Sequence, residues 1–138
     1  MMKLTQATDY AFRLVLYLAK NKEEVVEAKY ISEAEKIPRR FLLKIARQLI
    51  QAGIIESYRG QNGGYKIARD PAEITLKDVV LAIEGSIIIN KCQEDPEFCN
   101  RKAQDFCAIH CCLNSILAVL EKEFEKYTFA TLLNYNRN

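Results

Sequence analysis

The sequence lacks a long apolar run and a segment typical of a secretory leader. A membrane-spanning helix needs about 18 or more consecutive apolar residues, and no stretch of the chain meets that requirement. The opening segment, MMKLTQATDYAFRL, mixes charged residues into its apolar positions and so lacks the apolar core of a signal peptide. Internal repeats and low-complexity tracts are absent as well. We therefore expect a cytoplasmic protein that has no membrane partner.

The sequence also lacks the patterns typical of an enzyme. It contains no catalytic acid–base pair and no glycine-rich nucleotide loop, so we do not expect an enzyme or an electron carrier. Its cysteines do not form the paired CxxC motifs that are typical of zinc sites. In a reducing cytoplasm, however, five cysteines are expected to be metal ligands or redox groups rather than disulfides.

Positive charge is concentrated in one part of the chain. The formal net charge is only +2. Residues 36–66, however, contain seven lysines and arginines and a single acidic residue, Glu56, so their local charge is +6. Such a concentration is typical of a surface that binds a polyanion, although a solvated helix face would also explain the charge taken alone.

The first half of the chain has the apolar spacing of three helices followed by a β-hairpin. Pro38 favours the start of a new helix, and Gly53 fits the position just past its end. Helices are predicted over about 4–20, 29–36 and 39–51, and strands over about 54–59 and 65–69, with a glycine-rich turn between the strands. The residues expected to face the core from the second and third helices are Ile31, Ala34, Phe41, Leu42, Ile45, Ala46 and Leu49.

The second half of the chain is predicted to contain a short helix, a loop and a long helix. Thr75 can cap a helix over about 76–84 that ends at Gly85, and residues 90–106 are polar and are expected to form a loop. A long helix over about 108–127 has too many apolar residues to be exposed on all sides, so we expect it to pack on a partner such as a second subunit. Its apolar stripe is Ile109, Leu113, Ile116, Leu117, Leu120, Phe124 and Tyr127, and Cys112 is expected to be a small buried residue of the same stripe.

This order of elements predicts a mainly α fold: a winged helix-turn-helix with a two-stranded wing and a long C-terminal helix. In a helix-turn-helix the second helix of the pair enters the major groove, with its N-terminal residues nearest to the bases. A hairpin tip is narrow enough for the minor groove, and a glycine lets the backbone approach a phosphate closely. The predicted DNA-binding residues are Arg39 and Arg40 near the bases, Lys44 and Arg47 near phosphates, and Arg59, Gly60 and Gly64 in the wing.

A group of potential metal ligands follows the predicted DNA-binding half. Three cysteines are separated by six and seven residues, and a histidine and two further cysteines come next. Thiolates suit iron–sulphur clusters and zinc, and an imidazole can complete either kind of site. The histidine could instead cap its helix or face solvent, so the spacing alone leaves the ligand set open. The candidates are Cys92, Cys99, Cys107, His110, Cys111 and Cys112.

The sequence resembles the Rrf2 family of bacterial winged-helix regulators. The resemblance rests on IPRRFLLKIARQLIQAGIIESYRGQNGGYKIAR over 37–69, on the EITLKDVVLAIEG that follows soon after, and on LTQATDYAFRLVLYLA near the start. It implies a homodimer, joined through the long C-terminal helix, that binds a roughly palindromic double-stranded DNA operator. It also implies a DNA-binding domain over 1–85, a cysteine-bearing cluster loop over 86–107, and a dimerisation helix with a C-terminal tail over 108–138.

The resemblance implies a cofactor for the cysteine loop as well. In the iron–sulphur branch of the family, three cysteines of this loop and a histidine three residues after the third one hold a 2Fe–2S cluster. That pattern maps onto Cys92, Cys99, Cys107 and His110. We therefore expect operator binding to be modulated by an iron–sulphur cluster, with 2Fe–2S as the expected type.

Alternatives to that cluster follow from the same residues. The spacing of the cysteines is longer than is usual in the family, and Cys111 and Cys112 are further candidates for the fourth ligand. In a nitric-oxide-sensing branch the fourth ligand of a 4Fe–4S cluster is an N-terminal aspartate, which maps onto Asp9 of the partner subunit. A structural zinc or a thiol-redox site in a DNA-binding regulator is the other alternative.

Overall fold

The computed structural model describes residues 2–103 and 105–135 and has the predicted order of elements. The predicted segment 108–138 extends beyond these residues at its C-terminal end. Two antiparallel strands, β1 (Ile55–Tyr58) and β2 (Gly64–Ile67), form the hairpin. The helices in the described residues are α1 (Gln6–Lys20), α2 (Ala28–Glu35), α3 (Arg39–Gln51), α4 (Leu76–Glu84), α5 (Ala108–Lys126) and α6 (Phe129–Leu133).

Local capping signals set the ends of α3 and α4 where the sequence predicts them. Pro38 precedes the first residue of α3, and Gly53 follows its end with a φ of 73°. The side chain of Thr75 accepts a hydrogen bond from the backbone N–H of Asp78, whose carboxylate in turn accepts one from the Thr75 N–H. Gly85 ends α4 with a φ of 84°. Each end is therefore fixed by residues within a few positions of it.

The apolar core lies between α1, α3 and α4 and is completed by the wing and by α6. Leu14 and Leu18 of α1 and Leu42 of α3 are fully buried in it. The C-terminal segment returns to this core, because Phe129 of α6 is also fully buried and Thr128 forms an isolated antiparallel bridge with Thr75. Sequence periodicity alone does not place this segment in the core.

Two residues predicted to face the core are exposed instead. Ala34 lies on the outer face of α2, which buries only Ile31 because the helix is short and lies at the edge of the core. Phe41 is 43% exposed, and its ring lies 6.4 Å from that of Tyr10, beside the core rather than within it. Periodicity identifies the inner face of a helix but not the limit of the neighbours that cover it.

The wing is attached to the rest of the domain by a backbone bridge. Val26 and Tyr65 exchange backbone hydrogen bonds of 2.8 and 2.9 Å and so add a short third segment beside β2. A Cβ on Gly64, whose φ is 153°, would collide with the backbone of Val26. Gly64 is therefore required by packing within the chain, in addition to any role in binding DNA.

The long helix α5 has two apolar faces rather than one stripe. Leu113, Leu117, Leu120 and Phe124 are half-buried on the face that packs toward α4, and Lys77 reinforces this packing through ion pairs with Glu121 and Glu125. Ile109, Ile116 and Val119 are 65%, 55% and 63% exposed on a different face. Cys112 lies on that face and is exposed in the single chain, so the prediction that it is buried is wrong for this chain alone. No helix within the described part of the chain is long and apolar enough to cross a membrane.

Candidate DNA-binding surface and cysteine cavity

The outer face of α3 carries four exposed cations. Leu42, Ile45, Ala46 and Leu49 fix the helix to the core and leave the opposite side in solvent. Within residues 2–103 and 105–135, no carboxylate forms an ion pair with any of these cations. Their charge is therefore available to an anionic partner. The four are Arg39, Arg40, Lys44 and Arg47.

The wing and α3 belong to one electrostatic surface. Burial raises the pKa of Tyr65 in β2, whereas the positive charges of Arg47 and Arg39 act in the opposite direction. Tyr65 therefore lies close enough to α3 for the charges of that helix to act on it. Arg59 is exposed at the end of β1, next to the turn that contains Gly60.

The single acidic residue of segment 36–66 is engaged within the hairpin. The Tyr58 hydroxyl donates a 2.6 Å hydrogen bond to a carboxylate oxygen of Glu56. This hydrogen bond is the main reason why the pKa of Tyr58 is raised.

The two wing glycines predicted to bind DNA differ in their surroundings. Gly60 has a φ of 106° and open space around it, whereas Gly64 packs against Val26.

The loop between α4 and α5 forms a cavity with a volume of about 310 Å³. Two short 3₁₀ turns, Lys91–Gln93 and Pro96–Phe98, shape this loop. All four ligands predicted for the 2Fe–2S cluster line the cavity, together with Arg101. The predicted ligands are Cys92 and Cys99 of the loop, Cys107 at the start of α5, and His110 in its first turn.

Two of the predicted ligands are in direct contact. The Sγ atom of Cys92 lies 3.2 Å from Nδ1 of His110, although the residues are 18 positions apart in sequence. The position of His110 in the first turn of α5 directs its ring toward the loop. The solvent-facing alternative for this histidine therefore does not describe the structure, in which the residue is half-buried.

Backbone N–H groups and one arginine favour the thiolate form at two of the cysteines. The pKa of Cys99 is lowered chiefly by the backbone N–H groups of Ala103 and Arg101. The pKa of Cys107 is lowered chiefly by the N–H of His110, because Cys107 is the N-cap of α5, and also by the charge of Arg101. Nη2 of Arg101 lies 3.4 Å from the Cys107 Sγ atom. The sequence alone does not single out Arg101, because its contact with Cys107 depends on the fold of the loop.

The alternative fourth ligands lie elsewhere in the single chain. Cys111 and Cys112 are exposed and are not among the residues that line the cavity. Asp9 lies on α1 and forms an ion pair of 2.7 Å with Arg13, one helical turn away. Among the described residues, no three histidine, cysteine or acidic side chains lie close enough together to hold a single metal ion.

Comparison with known proteins places the chain in a family. It matches the Rrf2 model, described as an iron-dependent transcriptional regulator, over residues 4–135. It is 35% identical over 132 residues to Protein aau3 of Rhizobium meliloti, with 96% of this chain and 85% of that protein covered. It is 31% identical over 134 residues to the HTH-type transcriptional regulator NsrR of Shouchella clausii, with 96% of this chain and 89% of that protein covered.

Solved structures share the fold. IscR of T. potens is similar with a TM-score of 0.76 and 22% identity, and the match covers 99% of this chain and 94% of that one. CymR, the global cysteine regulator of B. subtilis, is similar with a TM-score of 0.74 and 22% identity, over 99% of this chain and 100% of that one. These similarities confirm the predicted mainly α, winged helix-turn-helix fold. Because the family model spans nearly the whole sequence, this chain belongs to the Rrf2 family of DNA-binding transcription regulators.

Proposed function

We propose that the protein is a cytoplasmic homodimer whose binding to an operator is modulated by a 2Fe–2S cluster. The observation that carries this proposal is the lining of one cavity by four potential ligands drawn from two elements of the fold. The proposed ligands are Cys92, Cys99, Cys107 and His110. When bound, such a cluster supplies a site that responds to iron supply and redox state.

The donor set of the cavity fits this group. Cys99 and Cys107 have lowered pKa values, and the thiolate is the form that ligates iron. A single zinc ion needs three or four ligands within about 2.3 Å of one point, and no group of three such side chains is found among the described residues. A two-iron cluster distributes its ligands over two metal atoms. The three thiols and the imidazole that line the cavity therefore fit a two-iron cluster in number and in kind.

The proposed DNA interface consists of α3 and the wing. Arg39 and Arg40 lie in the first turn of α3, where a recognition helix approaches the bases. Lys44 and Arg47 follow on the same exposed side and are proposed to contact phosphates. Arg59 with Gly60 is proposed to enter the minor groove, and Gly64 to hold the wing close to the backbone of the DNA.

The exposed apolar face of α5 is the proposed dimer interface. We define it as Ile109, Cys112, Ile116 and Val119, which recur at helical spacing. Because Ile109 also lines the cysteine cavity, a change in the loop can affect the packing of the partner helix. In this scheme residues 1–85 bind DNA, 86–107 hold the cluster and 108–138 join the subunits. A coupling free energy of about 1–3 kcal/mol would change operator occupancy many-fold.

A second candidate function is the one that the nitric-oxide-sensing branch of the family implies. In that case the three cysteines of the cavity and Asp9 of the partner subunit would hold a 4Fe–4S cluster that responds to nitric oxide. Within one chain the Asp9 carboxylate is paired with Arg13, and it would have to leave that ion pair to become a ligand. The contact between Cys92 and His110 favours the histidine-ligated site.

Anaerobic purification of the full chain tests the proposal. We expect a brown protein with iron and sulphide in equal amounts, and His110→Ala should change its visible spectrum. Asp9→Ala and Cys111→Ala are matched controls that should leave the spectrum unchanged. A colourless, zinc-containing protein would overturn the cluster, and a spectral change in Asp9→Ala alone would establish the second candidate. Binding to a selected operator duplex, with and without the cluster, then tests the modulation.

A further inference from the structure

One large apolar side chain, that of Leu43, lies on the cationic face of α3. Leu43 is 44% exposed, and it is not one of the buried residues that form the apolar core. Successive residues of a helix are about 100° apart, so Leu43 projects between Arg39 and Arg47. Arg40 and Lys44 occupy the adjoining positions of the same face. A leucine that is exposed between two arginines calls for an explanation, because its burial would be favourable.

The other exposed apolar residue in the first half of α3 has aromatic and cationic neighbours within the chain. The ring of Phe41 lies 6.4 Å from that of Tyr10, and the Arg40 guanidinium lies 5.2 Å from the Phe41 ring. These contacts hold Phe41 at the side of α3, next to α1. Leu43 projects away from α1, toward the region where the proposed function places DNA.

The charge around Leu43 indicates the kind of partner that covers it. Four cations that form no ion pair among the described residues favour a polyanion over an apolar protein surface, and the proposed dimer interface already uses a separate apolar face on α5. In the major groove, the 5-methyl group of thymine is the apolar feature that a leucine can contact. The arginines, by contrast, suit the acceptors of guanine or the phosphates.

We infer that Leu43 is a specificity-determining residue that recognises a thymine of the operator by contact with its 5-methyl group. The inference rests on the proposed entry of α3 into the major groove and does not depend on the cluster. It assigns one base preference to a residue that carries no charge. In a twofold-symmetric complex the contacted thymine occurs once in each half-site.

Replacement of thymine by deoxyuridine tests this contact, because it removes the 5-methyl group and keeps the base pair. The probe is a duplex selected by the full chain from a random-sequence library. Each thymine is then replaced in turn, and the affinity is measured. We expect one replacement in each half-site to weaken the binding of the wild-type protein about fourfold. Leu43→Ala should bind the thymine and uracil duplexes equally.

Lys44→Ala is the matched control on the same face of α3. Loss of a phosphate contact should weaken its binding to both duplexes by the same factor, so the uracil penalty should persist. The inference is overturned if no uracil replacement weakens wild-type binding, or if Leu43→Ala retains the full penalty, or if Lys44→Ala also loses it. Any of these three results would leave the proposed sequence-selective binding of DNA intact. If the library yields no preferred sequence, the proposed operator binding fails as well.

Discussion

The Glu84 carboxylate accepts a 2.6 Å hydrogen bond from the hydroxyl of Thr8, which lies 76 positions earlier in the chain. The same oxygen accepts a 2.6 Å hydrogen bond from the hydroxyl of Thr5, the N-cap of α1. Thr8 is fully buried, and Glu84 is the last residue of α4. This cluster ties the start of the first helix of the DNA-binding half to the end of α4, directly before the cysteine loop.

Removal of the Thr8 hydroxyl should destabilise the fold. Thr8→Val keeps the shape of the side chain but deletes a hydrogen bond to a charged acceptor, so we expect the free energy of unfolding to fall by about 1–2 kcal/mol. Urea denaturation followed by circular dichroism measures this loss. Thr131→Val, at an exposed position near the C-terminus, is the matched control and should cost less. Equal losses in the two variants would show that the Thr8 hydroxyl contributes no more than that of Thr131, which lies 3.0 Å from the hydroxyl of Thr128.

The Glu84 carboxylate should make the free energy of unfolding depend on pH in the acidic range. Burial acts to raise the pKa of Glu84, but the hydrogen bonds from Thr5 and Thr8 outweigh it and lower the pKa below its ordinary value of about 4.5. A group with a lowered pKa in the folded state stabilises the protein above its unfolded pKa, and that contribution is lost as the pH falls through the folded value. The stability advantage of wild type over Glu84→Gln should therefore shrink between about pH 6 and pH 3.

Glu23→Gln is the control for that titration, because Glu23 is an exposed carboxylate outside the cluster. Its stability difference from wild type should change less over the same range. A Glu84→Gln curve that stays parallel to the wild-type curve at all pH values would contradict the lowered pKa.

Gly60 and Gly64 of the wing should tolerate substitution differently. In Gly64→Ala the new Cβ would meet the Val26 backbone, which cannot move without breaking the bridge to Tyr65, so we expect a loss of about 2 kcal/mol or more. In Gly60→Ala the new Cβ would lie in open space. We therefore expect the free energy of unfolding to fall only by the conformational penalty of a positive φ, about 1 kcal/mol. Urea denaturation of both variants measures the difference. Similar losses would show that the close approach of Gly64 to Val26 is unimportant.

The elements of the DNA-binding half could be predicted because their signals are local. The bounds of α3 follow from Pro38 on one side and Gly53 on the other, and those of α4 from Thr75 and Gly85. Each of these residues acts on backbone groups within a few positions of itself. The hairpin likewise follows from its glycine-rich turn, although the strands are shorter than predicted.

The features that could not be predicted from the sequence depend on contacts between residues that are distant along the chain. Phe41 belongs to an apolar stripe, yet α1 covers it only in part, and Phe129 is buried because α6 folds back onto the core. The spacing of the cysteines along the chain suggests which of them line the cavity. The contribution of Arg101 to the pKa of Cys107 requires the path of the loop in three dimensions. The two faces of α5 are likewise distinguished only by the position of α4.

A charge on the exposed face of α5 should separate the subunits. Ile116→Lys would bury an unpaired ammonium group in the proposed interface, so we expect a monomer in sedimentation equilibrium at concentrations where wild type is a dimer. Ala118→Lys, which is exposed on the polar side of the same helix, is the matched control and should remain dimeric. Circular dichroism should show both variants folded. A dimeric Ile116→Lys would place the interface elsewhere.

The exposed arginine of the wing should contribute to operator affinity and to its dependence on salt. Arg59→Ala should weaken binding about tenfold and reduce the slope of log affinity against log salt concentration by about 1, because one cation leaves the DNA surface. Lys22→Ala removes an exposed cation from the turn after α1, outside segment 36–66, and should change neither quantity. Titration of a fluorescent duplex at several salt concentrations measures both. Because Arg59 lies at the edge of the hairpin with its side chain in solvent, its loss should leave the stability of the fold unchanged. Unchanged affinity at physiological salt would exclude the wing from the interface and leave α3 as the part of the chain that binds DNA.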